Sequence, residues 1–201
     1  LQYDYNRVMM LVVLMCEPQK ITVFGLGGGN LTSSLLQCFP EAAVIAVELR
    51  QGVIDTAYKY FSLPLNPQLK VINDNALDYL AQTSQLAPGQ CDILFSDLFL
   101  AQGLETKQLT RQFIDNVLKL LSDKGWLVIN CLEEYRSEPV LSGLLQASFI
   151  TVFECITEDG NWVIIAGKGD NKPVLKSLYP QAKLWSQRLG FSLQTHLKRL
   201  Q

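Results

Sequence analysis

Seven short apolar runs punctuate the chain, most of them rich in β-branched residues: Ile21 to Leu26, Ala43 to Leu49, Leu69 to Ile72, Cys91 to Phe95, Trp126 to Cys131, Ile150 to Ile156 and Trp162 to Ala166. Between them lie segments of helical period at about 30 to 39, 51 to 61, 75 to 83, 106 to 121 and 137 to 148. This alternation is the pattern of parallel strands joined by crossover helices, and runs so uniformly apolar are expected where helices cover both sheet faces. The last two runs differ, because Thr157-Glu158-Asp159-Gly160-Asn161 joins them and Asp-Gly in so short a link predicts an antiparallel hairpin. The expected fold is thus α/β: a mostly parallel sheet with an antiparallel edge hairpin and helices on both faces. Residues 1–201 read as a single domain, with an N-terminal helix over 3–16, a core over 20–168 and a helical tail over 172–201 broken at Pro180 and Gly190. Leu178, Ala182, Trp185 and Leu189 share one face of that tail, which reads as a core or dimer contact.

Composition removes several classes of function. Hydrophobic residues at 48% and charged residues at 18% exclude a disordered chain, and the apolar balance leads to the expectation of a homodimer. The longest apolar run, Val8 to Cys16, falls well short of the roughly 20 residues a spanning helix needs, so no membrane partner and a cytoplasmic location are expected. Residues 1–167 carry 10 basic and 18 acidic side chains, whereas residues 168–201 carry 7 and 1. The acidic body disfavours nucleic acid and favours cationic ligands, and the short basic tail reads as solvated surface. The five cysteines lie far apart inside apolar stretches, without metal-ligand or redox spacing, and His196 is the sole histidine. No metal site and no serine or cysteine triad can be assembled, which leaves a carboxylate, tyrosine or lysine as general base.

In an open parallel sheet the ligand lies outside the carboxyl ends of the strands, where strand order reverses. After the first strand comes Gly25-Leu26-Gly27-Gly28-Gly29-Asn30, whose glycines allow either close approach of a ligand or simply a tight strand-to-helix turn. A dinucleotide fingerprint would want glycine where Asn30 stands, so a nucleoside with a small charged arm fits better than a pyrophosphate. Glu48, at the end of the second strand, stands where a carboxylate accepts from both ribose hydroxyls, or else caps the next helix. Asp74, Asn75 and Ala76 follow the third strand; a carboxylate and a backbone amide there can hold an adenine edge, and Asp74 or Asn75 can equally be the N-cap of the following helix. Asp97 projects from an apolar surround after the fourth strand, as a perturbed carboxylate or as a buried structural aspartate.

Five βα units followed by an edge hairpin form the Rossmann-like arrangement of class I S-adenosylmethionine-dependent methyltransferases. Within that class the chain resembles the catalytic domain of the spermidine synthase (polyamine aminopropyltransferase) family. The resemblance rests on Gly27-Gly28-Gly29-Asn30, Val47-Glu48, Tyr58-Lys59-Tyr60-Phe61, the Asp74 turn, Cys91-Asp92-Ile93-Leu94 leading to Asp97, and Lys124-Gly125-Trp126-Leu127. It implies transfer of an aminopropyl group from decarboxylated S-adenosylmethionine to a small-molecule amine in polyamine biosynthesis, the alternatives being a methyltransferase that uses intact S-adenosylmethionine or a non-catalytic nucleoside-binding homologue. It further implies that Glu48 binds the ribose, that Asp74 and its neighbours bind the adenine, and that Asp97 holds or deprotonates the attacking amine. Three departures accompany it. Asn30 stands where the family has aspartate, Leu100 stands where it has a second aspartate, and its N-terminal β-domain has no counterpart in these residues. Glu134, beside Glu133 after the fifth strand, is read either as a substitute anionic grip on the substrate or as a solvent-facing residue.

Overall fold

The computed structural model describes residues 1, 3–100, 103–137, 139–170 and 172–201. Helix α1 (Asp4–Met9) tightens into a 3-10 turn at Met10–Leu14 and leads to β1 (Lys20–Phe24), α2 (Asn30–Cys38), β2 (Ala43–Glu48), α3 (Gln51–Tyr60), β3 (Leu69–Asn73), α4 (Ala76–Leu86) and β4 (Cys91–Ser96). A small hairpin, β5 (Phe99–Leu100) with β6 (Gly103–Leu104), precedes a 3-10 turn at Thr106–Leu109, then α5 (Arg111–Leu120) and β7 (Leu121–Leu132). After a 3-10 turn at Glu133–Ser137 come α6 (Pro139–Ser148), β8 (Thr151–Ile156) and β9 (Asn161–Gly167), and the tail folds as α7 (Tyr179–Leu189) and α8 (Leu193–Leu197).

All seven apolar runs form one sheet in the order β3-β2-β1-β4-β7-β9-β8. Neighbours from β3 through to β7 are parallel, and β9 runs antiparallel to both β7 and β8. Strand order reverses between β1 and β4, so a crevice must open above their carboxyl ends. The pleat sends alternate side chains to opposite faces. On β4, Ile93 and Phe95 join the core under α1, α2, α7 and α8, while Leu94 joins the core under α4, α5 and α6, and all three are fully buried. Each such side chain contributes about 1.5–3 kcal/mol of hydrophobic stabilisation, which is why these strands tolerate so few polar residues.

Four expected boundaries are corrected by the tertiary structure. The N-terminal helix over 3–16 ends as a 3-10 turn at Leu14, with Pro18 close behind to prevent continuation. The segment over 106–121 is two elements, because Thr110 is extended (ψ 156°) and its hydroxyl accepts from the Phe113 amide at 3.3 Å, starting α5 afresh. Strand β7 begins at Leu121 rather than Trp126, paired with Cys91, and a bulge before the Ile93–Trp126 pair absorbs the extra residues. Pro180 starts α7 rather than breaking it, since a helix's first turn needs no N–H there, whereas Gly190 (φ 72°) does end it. The tail stripe is core: Leu178 and Ala182 are buried, and Trp185 meets the Phe39 ring at 5.5 Å between centroids.

The tail also fixes the N-terminus over the sheet. Arg199 donates to Asp4 at 2.8 Å and to the Ile156 carbonyl at 2.8 Å, while Gln201 and Glu154 exchange backbone hydrogen bonds of 3.1 and 3.0 Å along the β8 edge. Among the described residues no helix is long and apolar enough to cross a membrane. The cysteines are buried or half-buried and unpaired, and burial pushes the Cys91 and Cys131 thiols up to about 12, so neither supplies a thiolate near neutral pH.

Candidate functional site

A concave cavity of about 410 Å³ opens at the switch point, lined by residues from the tips of β1, β2 and β4, from the start of α4, and by Tyr5 of α1. Its shape begins with one glycine. Gly25 has φ +85°, its amide donates to the Val47 carbonyl at 2.9 Å, and a β-carbon there would collide with the Asp97 backbone oxygen. The Asp97 amide in turn donates to the Phe24 carbonyl at 2.9 Å, so the tips of β1 and β4 touch backbone to backbone.

Gly25 and Gly27 both open on the cavity. Gly28, Gly29 and Asn30 are not among its lining residues. A β-carbon on Gly28 would press the Phe61 ring at 3.2 Å and one on Gly29 the Leu63 side chain at 2.7 Å, and Asn30 begins α2, exposed. The loop therefore divides into two glycines facing the cavity and two that permit a tight turn.

Glu48 is buried at 6% exposure and lines the cavity. One carboxylate oxygen accepts from the Leu26 amide at 3.0 Å and the other from the Arg50 amide at 3.1 Å, with the Arg50 guanidinium at 3.5 Å. A carboxylate offers about four acceptor sites, so the oxygen facing Leu26 keeps a free direction while the other is taken by the amide and guanidinium of Arg50. The glutamate thus holds the β1 and β2 loops together and keeps one acceptor direction for a hydroxyl. Asn75 lines the cavity, but its side-chain oxygen accepts from the Leu77 and Asp78 amides at 2.9 and 3.4 Å as the N-cap of α4. Asp74 is exposed, outside the lining, and accepts from the Asn75 amide at 2.7 Å. The third strand tip thus presents Asn75, Ala76 and Leu77 to the cavity, with the Asn75 side-chain oxygen engaged in capping. Glu134 is not brought to the cavity: it lies exposed on the 3-10 turn after β7, outside the lining residues.

Asp97 lies at the end of β4, half-buried and reachable from the cavity. Burial raises its pKa, opposed first by a hydrogen bond from Asn130 and then by one from Tyr5. The Asn130 amide donates to Asp97 at 2.8 Å, and its own oxygen accepts from the Asn161 side chain at 3.0 Å. Because Asn161 occupies the oxygen, the amide nitrogen of Asn130 must face the carboxylate. Burial, followed by the Asp97 charge, pushes the Tyr5 phenol above its ordinary range, so Tyr5 stands protonated beside Asp97. Glu105 adds a third carboxylate to the lining, against the single guanidinium of Arg50. This excess of negative charge over a concave apolar wall of Leu98, Phe99 and Leu100 suits a cationic ligand.

Reading the sequence alone did not find Tyr5, Asn130 or Glu105. Asn130 carries a signal, as a lone amide inside the apolar run ending at Cys131. Tyr5 carries none, since only the docking of α1 on β7 and β9 brings it to the β4 tip.

The fold and the cavity at its switch point define a class I methyltransferase-like, Rossmann-type domain, and the chain belongs to the spermine/spermidine synthase domain family, whose model matches residues 3–160. A polyamine aminopropyltransferase of Vibrio vulnificus is 28% identical over 167 residues, covering 82% of this chain and 56% of that protein. An eEF1A lysine and N-terminal methyltransferase homolog of Drosophila melanogaster is 24% identical over 179 residues, covering 86% of this chain and 26% of that protein. The chain spans about half the length of the first relative and about a quarter of the second. Among solved structures, human methyltransferase-like protein 13 in complex with SAH superposes with a TM-score of 0.79 at 18% identity, covering 98% of this chain and 93% of the other.

Proposed function

We propose that this domain is a spermidine synthase-like transferase, which binds decarboxylated S-adenosylmethionine across the β1, β2 and α4 tips and transfers its aminopropyl group to a small-molecule amine. The observation that carries the reading is the carboxylate of Asp97, hydrogen-bonded by Asn130 and raised in pKa by burial, at the wall of a cavity whose other side holds Glu48. An alkylammonium with a pKa of about 10 must lose a proton before it attacks, and a carboxylate with elevated pKa at hydrogen-bond distance is suited to receive it. The amine lone pair then forms a bond to the carbon beside the sulfonium, the carbon–sulfur bond breaks, and the pair it releases stays on sulfur as the neutral thioether of methylthioadenosine. Removing the sulfonium charge is the driving change. The chain's task is to hold the two reactants in line and to keep Asp97 ionised until the proton arrives.

Methyl transfer from intact S-adenosylmethionine is the second reading, favoured by Leu100 on the cavity wall, which leaves the far end of a diamine without a carboxylate at that position. One experiment separates the two. Purified protein is given each sulfonium donor with putrescine, and methylthioadenosine and S-adenosylhomocysteine are quantified by mass spectrometry. Methylthioadenosine formed only with the decarboxylated donor supports the first reading, and S-adenosylhomocysteine formed with the intact donor supports the second. Neither product above background overturns both.

A further inference from the structure

Two fully buried polar side chains flank Asp97 without touching its carboxylate. Ser96, the last residue of β4, and Gln108, on the 3-10 turn after the small hairpin, are both 0% exposed. The Ser96 hydroxyl donates to the Gln108 side-chain oxygen at 2.7 Å, and the Gln108 amide nitrogen donates to the Leu98 carbonyl at 3.3 Å. That same carbonyl accepts from the Glu105 amide at 3.0 Å. One side chain therefore holds the Ser96 hydroxyl before residue 97 and the Leu98 carbonyl after it. Burying a primary amide is unfavourable unless both of its ends are satisfied, and an apolar residue of the same volume would fill the site without that cost. The bonds Gln108 makes are spent on one turn of chain, and that turn carries the carboxylate. The strand that follows Leu98, β5, supplies Phe99 and Leu100 to the cavity wall and pairs with β6.

We infer that Gln108 is the positioning residue for Asp97: it locks residues 96 and 98 so that the carboxylate between them meets the acceptor amine, and it ties β5 at the cavity wall to that geometry. The inference rests on the role given to Asp97 above. A displacement of about 1 Å in a reacting group costs about 100-fold in rate, whereas Glu48 is held by the Leu26 and Arg50 amides, away from Gln108 and Ser96. The effect should therefore fall on turnover and spare nucleoside binding.

The test uses Gln108→Leu, which keeps the volume, together with Ser96→Ala and the double variant. Turnover is measured with the two sulfonium donors and putrescine, methylthioadenosine affinity by calorimetry, and the titration of the Asp97 carboxyl by carbon-13 NMR. Asp97 is faced by Tyr5 from α1, by Glu48 and Arg50 from the β2 tip and by Glu105, and all of these remain in every variant. Gln108→Leu is expected to lower kcat about 10- to 100-fold, to leave methylthioadenosine affinity within about 3-fold, and to move the Asp97 titration toward the ordinary carboxylate value as its tip opens to water. The double variant should be no worse than Gln108→Leu alone, since the two side chains act as a unit. Parallel loss of kcat and methylthioadenosine affinity, or no loss of either, overturns the inference. Absence of product from wild-type protein with both donors overturns the transfer reading instead; in that case an Asp97 titration unchanged by Gln108→Leu and by Ser96→Ala overturns the positioning role, and a shifted one upholds it.

Discussion

The meeting of the β1 and β4 tips can be tested with a single methyl group. Gly25 and Gly27 both have positive φ, +85° and +53°, so alanine at either position incurs the left-handed backbone cost of about 1–2 kcal/mol. They differ in what the new β-carbon meets. At Gly27 nothing lies within 4 Å, whereas at Gly25 the Asp97 backbone oxygen occupies the space. Overpacking of that kind costs about 1–3 kcal/mol more. With about 2.1 cal/mol/K of unfolding entropy per residue, 201 residues give about 0.4 kcal/mol/K. Gly25→Ala should therefore melt about 2–7 °C below Gly27→Ala. Circular dichroism melts of both variants beside wild type, in one buffer, read this difference directly. The displaced oxygen belongs to Asp97, so turnover by Gly25→Ala should fall further than its stability loss explains. Equal melting temperatures for the two variants, or a lower one for Gly27→Ala, would refute the backbone contact on which the site's geometry depends.

Three further outcomes follow from individual hydrogen bonds. Asp97→Asn keeps the acceptor for Asn130 and removes a buried charge; because burial raises the folded-state pKa, the wild-type stability deficit develops as pH rises through that value, so the variant should melt above wild type at pH 8, converge with it below about pH 4, and lose turnover by about 100- to 10,000-fold. Asn75→Ala should cost about 1 kcal/mol in urea unfolding through loss of the α4 N-cap, yet leave methylthioadenosine affinity within about 3-fold, because the capping oxygen is already engaged by the protein. Glu48→Gln turns an amide NH2 toward either the Leu26 or the Arg50 N–H, leaving a buried donor unmatched; a loss of about 1–3 kcal/mol and of nucleoside binding is expected, and an unchanged urea midpoint would show that neither hydrogen bond matters.

The chain's own pattern was sufficient for the architecture. Apolar runs such as Ile93 to Phe95 bury alternate side chains on opposite faces, so they read as a two-sided strand without any neighbour being known. The Asp159-Gly160 turn is likewise local chemistry, and β8 and β9 pair antiparallel across it. Glu48 and Asp97 were legible for the same reason: the first ends a strand and the second directly follows one, and strand ends at a switch point are where ligands lie. Boundaries were less legible where two local preferences compete, as at Thr110, where a continuous helical period conceals a new N-cap. Asn75 was ambiguous in the sequence because capping and ligand contact ask for the same residue type, and only coordinates show which amides its oxygen accepts.

What the one-dimensional pattern determined, then, is the sheet, its covering helices and the strand tips that can carry chemistry, because period and turn residues act over a few positions. Only the folded chain decided which of those tips share a cavity and what surrounds them. Tyr5 reaches Asp97 through a helix docked more than ninety residues away in sequence, Asn130 is oriented by Asn161 from the neighbouring strand, and Gln108 closes on Ser96 and Leu98 from beyond a hairpin. Such contacts follow from long-range packing and the satisfaction of buried polar groups, and neither leaves a periodic trace along the chain.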